Sequence, residues 1–88
     1  MLLFLDVISP IPEFSIIEDN KIINQCKIVI NESEKLSDNI IQKYIKIDKE
    51  LNLNKKLKKL AMTIGPGSYT SLRVGASFLS GLCISMNL

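Results

Sequence analysis

From Val74 to Leu88 the chain carries no charged side chain, and this run limits the possible folds more than any other feature. Leu72, Ala76, Leu79 and Cys83 make one stripe at helical spacing, and Val74, Phe78 and Leu82 make a second, offset around the axis. A helix that is apolar around its circumference needs cover on more than one side. Either it is a core element flanked within its own chain, or another chain covers part of it. With 88 residues, 47% of them hydrophobic, the first solution is hard to build. A domain this small hides only ~60% of the surface its unfolded chain exposes. The pattern therefore favours burial by a partner.

The remaining elements read from the start of the chain. Leu2 to Ile8 is a nearly unbroken apolar run, suited to a strand buried on both faces, and Pro10 and Pro12 then mark a connection. Phe14–Glu18 and Ile22–Ile30 are β-rich and separated by Asp19, Asn20 and Lys21, a turn composition. Ser37 is placed to cap a helix over about 38–51, with Asp38 in its first turn. Its apolar residues form two stripes, Ile40/Tyr44/Ile47/Leu51 and Ile41/Ile45. A short strand, Leu60–Ile64, leads to Gly65-Pro66-Gly67, and a second helix starts near Thr70 with Ser68 or Thr70 as cap.

Charge excludes little. Eleven basic residues against nine acidic give a net +2, far short of the bias common in nucleic-acid binders. The one local excess, Lys55, Lys56, Lys58 and Lys59, reads as a solvated loop, with RNA or an acidic partner as the alternative. There is no histidine, and Cys26 and Cys83 are isolated, so no metal site is expected. The two cysteines read as small core residues in a reducing compartment. The apolar start has no basic n-region and no stretch is long enough to span a membrane; a soluble, cytoplasmic protein with no cofactor is expected.

Gly65-Pro66-Gly67-Ser68-Tyr69-Thr70 joins a strand to a helix start, where free N–H groups can hold an anion or simply form a tight turn. It is neither a Walker A loop nor a GxGxxG fingerprint. Arg73 sits in the first helical turn, against the local dipole by roughly 0.3–1 kcal/mol. A carboxylate, Asp6 or one from a partner, or a bound phosphate would offset that. Gly65, Gly67, Ser68, Thr70 and Arg73 are thus the candidates for an anion-binding or structural loop.

The segment from Gly65 to Gly75, Gly-Pro-Gly-Ser-Tyr-Thr-Ser-Leu-Arg-Val-Gly, closely resembles the TsaB (YeaZ) signature Gly-Pro-Gly-Ser-Phe/Tyr-Thr-Gly-Leu/Val-Arg-Ile/Val-Gly. Ser71 replaces a glycine. Lys35-Leu36-Ser37-Asp38-Asn39-Ile40 is similar to that family's Lys-His-Ser-Glu-Asn-Leu, and the order of elements agrees along the whole chain. The resemblance implies an α/β (α+β) lobe of the actin/Hsp70-like ATPase fold, with a four-stranded mixed sheet in order 3-2-1-4 and two helices on one face. It implies a single domain, 1–88, cut down to the N-terminal lobe. It implies a non-catalytic scaffold that binds a TsaD-type catalytic subunit through its two helices. A TsaE-type ATPase would join the complex, which serves threonylcarbamoylation of tRNA adenosine 37 (t6A biosynthesis). The family's opening Asp-Thr-Ala/Ser is Asp6-Val7-Ile8 here and its motif histidine is Leu36, so catalysis by this chain is not expected, and neither is direct tRNA contact.

The interface expected on these grounds comprises Ile40, Tyr44 and Ile47 on the first helix and Ser71, Val74, Gly75, Phe78 and Leu82 on the second. Ser71 and Gly75 would allow close helix approach and Phe78 would anchor, so that Phe78→Asp would leave a folded monomer. The strand Leu60–Ile64 should form a sheet edge covered by another chain or by the chain's own terminus. Two alternatives remain: a homodimer through the same helices when the chain is alone, and a small phosphate- or nucleotide-binding module.

Overall fold

A computed structural model describes residues 1–65 and 69–88. Four strands, β1 (Leu2–Asp6), β2 (Glu13–Glu18), β3 (Lys21–Lys27) and β4 (Lys59–Met62), are joined with three helices, α1 (Leu36–Leu51), α2 (Leu53–Lys56) and α3 (Tyr69–Met86). The sheet order is β3-β2-β1-β4. β1 pairs antiparallel with β2, from Leu2↔Ile17 to Asp6↔Glu13, and parallel with β4, from Leu2↔Lys59 to Leu5↔Met62. This is the mixed α/β sheet expected, with one helical element more. The turn between β2 and β3 needs only Asp19 and Asn20, both at positive φ (52° and 63°). Two residues in that conformation match the right-handed twist of the flanking strands.

Strand β1 alternates. Leu3 and Leu5 are fully buried, whereas Leu2 and Phe4 are half-buried. Burial on both faces was expected from the unbroken apolar run. Instead α1 and α3 both pack on one face, placing Leu3, Leu5, Phe14 and Ile16 of the sheet in one cluster with α1 and Leu79 of α3. β4 has a strand neighbour on one side only, and its four residues keep that edge short, one way an edge is blunted.

Helix α1 begins one turn earlier than its composition suggests. Lys35, not Ser37, is the cap residue. A lysine has no side-chain acceptor, so the carboxylate of Asp38 reaches back and accepts the Lys35 N–H at 2.9 Å. The helix ends where Asn52 turns left-handed (φ 59°) and donates its N–H to the Asp48 carbonyl at 2.6 Å, the closure that asparagine tolerates well. The short α2 follows directly, within the segment read as a lysine-rich loop. It is fixed through Asn54, whose N–H and Nδ2 donate to the two Asp48 carboxylate oxygens (2.8 and 3.0 Å) while its Oδ1 accepts the Tyr44 hydroxyl at 2.7 Å.

Burial of Tyr44, reinforced by the negative charge of Asp48, pushes its hydroxyl up from 10.0 to about 12. The fold thus favours the neutral phenol. Its contribution to stability is complete below the unfolded value and is lost as pH rises through about 12. An ultraviolet tyrosinate titration should show a late transition that Tyr44→Phe removes. A wild-type protein whose tyrosines all ionise together near 10 would contradict this placement.

The faces of the helices correct the expected interface. Ile40, Tyr44 and Ile47 point into the core, each 4% exposed or less. The outward apolar residues of α1 are Ile41 and Ile45, at 54% and 46% exposure. Periodicity separates two stripes but does not say which one meets the sheet; the longer stripe does, because it offers more area to bury. Gly75 is also turned inward. A Cβ there would lie 2.8 Å from Met62 Sδ, 3.2 Å from Val7 Cγ1 and 3.3 Å from Leu5 Cδ2. Its lack of a side chain brings α3 close to β1 and β4, not close to a partner helix.

Candidate functional site

Between α1 and α3, on the side away from the sheet, two adjoining pockets form a groove. One, of about 390 Å³, is lined by Ser37, Ile40, Ile41, Arg73, Val74, Ser77 and Phe78. The other, of about 300 Å³, is lined by Ile41, Tyr44, Ser77, Phe78, Gly81, Leu82 and Ser85. Ile41, Ser77 and Phe78 belong to both, which makes the groove continuous. Of the expected residues, Val74, Phe78 and Leu82 line it half-buried, and Ile40 and Tyr44 lie at its floor. Ile47 lines neither pocket and Gly75 faces the sheet. Ser71 is half-buried one turn ahead of Gly75.

The aromatic residues at the floor fix the groove's shape. Phe14, Tyr44 and Phe78 pack as three mutually inclined rings, with centroids 5.6–6.4 Å apart and interplanar angles of 56–66°. Such edge-to-face pairs add about 0.5–1.5 kcal/mol each beyond area burial. Phe78 is therefore a structural member of the core as well as a groove residue. Phe78→Asp would place a carboxylate against two buried rings, so the folded monomer expected from that change does not follow from the geometry.

The groove's outer rim is made of residues that the interface expectation passed over. Ser77, Gly81 and Ser85 recur every four positions along α3, all exposed, facing Ile41 across the groove. A Cβ added at Gly81 would meet nothing within 4 Å. Ile84, further along α3, is 81% exposed. The i, i+4, i+8 spacing of the small residues was visible in the sequence. What was missing was the orientation of α3, which Gly75 sets by facing the sheet.

Of the candidate loop, Gly67 and Ser68, with Pro66, lie outside the described residues. Gly65 has φ 113°, a backbone conformation that suits glycine, and Thr70 is exposed in the first turn of α3. Arg73 is exposed, stacks over the Tyr69 ring at 4.2 Å and donates to the Tyr69 hydroxyl at 3.1 Å. Asp6 is engaged within its own loop: its carboxylate accepts from the Ser9 hydroxyl at 2.6 Å and from the N–H groups of Ile8 and Ser9. The Ser9 hydroxyl, followed by those N–H groups, holds the Asp6 carboxyl below its ordinary value, against a small opposing effect of burial. Lys55, Lys56, Lys58 and Lys59 are all exposed. No helix among the described residues is long and apolar enough to cross a membrane.

Comparison with known proteins bears on this arrangement. The structure of YeaZ from Pseudomonas aeruginosa superposes with a TM-score of 0.80 at 17% identity, covering 98% of this chain and 39% of that one. The fold expected from the glycine segment, a TsaB (YeaZ)-like lobe, is thereby met, and the chain spans well under half the length of that relative. No curated protein matches the sequence significantly. The family model "TsaD: tRNA N6-adenosine threonylcarbamoyltransferase" matches residues 27–88. That span takes in the segment before α1, all three helices and β4, and by it the chain belongs to the TsaD family.

Proposed function

We propose that the chain is a non-catalytic partner subunit in t6A biosynthesis, docking through the α1/α3 groove onto a TsaD-type catalytic subunit. The observation that carries this reading is the exposed apolar surface of the groove. Ile41 and Ile45 on one helix and Ile84 on the other stand about half exposed or more, flanking a cleft floored by aromatic rings. Exposed apolar surface that is contiguous marks a protein-interaction site more often than chance scatter does. Membership of the TsaD family and the YeaZ-like fold connect that surface with tRNA threonylcarbamoylation. A cofactor has no part in this reading, and a TsaE-type ATPase would join the assembly through the catalytic subunit.

The test is an affinity measurement between the chain and the TsaD-type subunit encoded in the same genome. Ile41→Glu places a charge at the centre of the groove without disturbing a buried contact. It should weaken binding by about 100-fold or more, the loss typical of an interface hot spot, while thermal unfolding stays within about 2 °C of wild type. Unchanged affinity would remove the groove from the interface.

A further inference from the structure

Arg73 is the one charged residue of α3, and it lies at the end of the groove where the first pocket opens. It has no carboxylate within ion-pair distance among the described residues; Asp6, the acid it was expected to meet, is held by Ser9. Its guanidinium instead rests on the exposed ring of Tyr69. The position is unfavourable for a cation, because the first turn of a helix is the positive end of its dipole. Neither pocket of the groove has an aspartate or glutamate in its lining. A second copy docked by the same face would thus bring apolar surface but no acid to Arg73.

Resting on the docking reading above, we infer that the groove's occupant is a helix of a different protein, apolar on one face, with an aspartate or glutamate placed to pair with Arg73. The apolar contacts along Ile41, Ser77 and Gly81 supply affinity. The single charge at one end sets the direction in which the partner helix lies, since only one orientation brings its acid to the guanidinium. A partner carboxylate also relieves the dipole conflict that Tyr69 leaves in place. Charge complementarity of this kind governs register and partner choice more than total affinity.

The probe is the TsaD-type subunit from the same genome, titrated by calorimetry at low and high salt against wild type, Arg73→Gln and Gly81→Arg. Arg73 is exposed, so Arg73→Gln should melt with wild type. Its affinity at low salt should fall about 10-fold, and its salt dependence should be flatter, as for loss of an interfacial ion pair. Gly81→Arg reports separately on the groove. If Gly81→Arg abolishes binding while Arg73→Gln binds as wild type with the same salt slope, the acidic-partner inference is overturned and the docking reading survives. If Gly81→Arg has no effect, the docking reading fails and takes the inference with it. Self-association of the chain in place of binding to the probe also overturns it.

Discussion

Gly81→Arg should eliminate association with the TsaD-type subunit while leaving the isolated chain as stable as wild type or slightly more so. The expectation follows from the space around this glycine. No atom lies within 4 Å of an added Cβ, so a long side chain projects over the groove without displacing anything in the monomer. Removing glycine from a helix interior is itself favourable by about 0.8–1 kcal/mol. An arginine over Ser77 and Ser85 blocks the approach of another helix backbone and leaves a desolvated charge facing apolar surface. Loss of binding by at least about 100-fold is expected, as for a central hot-spot position. The same substitution at Gly75 separates packing from docking. There the side chain would collide with Met62, Val7 and Leu5, and the protein itself should be destabilised by about 1–3 kcal/mol or more. Thermal melts and binding titrations of the two variants should therefore diverge in opposite directions.

Phe14→Ala should destabilise the chain by about 3–5 kcal/mol, the range for removal of a buried aromatic residue. Phe14 is fully buried and contacts both Tyr44 and Phe78, so its ring joins the sheet to α1 and α3 together. An 88-residue domain has a total stability of roughly 4–13 kcal/mol at 0.05–0.15 kcal/mol per residue. The variant would consume much of that margin. In urea, with a slope near 1 kcal/mol per molar for a protein of this size, the midpoint should fall by about 3 M or the transition should vanish. A shift below about 1 M would mean that the aromatic trio is not the centre of the core.

The sheet order and both long helices were legible in the sequence, because their signals are local. The alternating and apolar runs, the Asp-Asn turn and the two stripes of α1 each point to one element. The cap of α1 was misplaced by two residues for a specific reason. Ser37 has the usual capping side chain, but the acceptor is supplied by Asp38 from inside the helix to the Lys35 N–H. The short α2 was hidden because its anchor is Asn54 bridging Asp48 and Tyr44, a contact between residues that composition treats separately.

The site was less legible than the fold. The apolar excess of α3 announced a surface in need of cover, yet which stripe of each helix faces the sheet depends on tertiary packing. Tyr44 and Phe78 illustrate this. Both were read as outward, and both belong to the aromatic trio with Phe14, so they shape the groove floor instead of projecting from it. Gly75 carries the same lesson: small residues let backbones approach, and here the approaching backbone is the chain's own sheet.

The central claim, docking through the α1/α3 groove, is tested most directly by co-expressing the chain with the TsaD-type subunit from the same genome and passing the mixture through gel filtration. Co-elution of the wild-type chain with that subunit, lost in Gly81→Arg without loss of folding, is the result predicted. Separate elution of the wild-type chain and the TsaD-type subunit would contradict it.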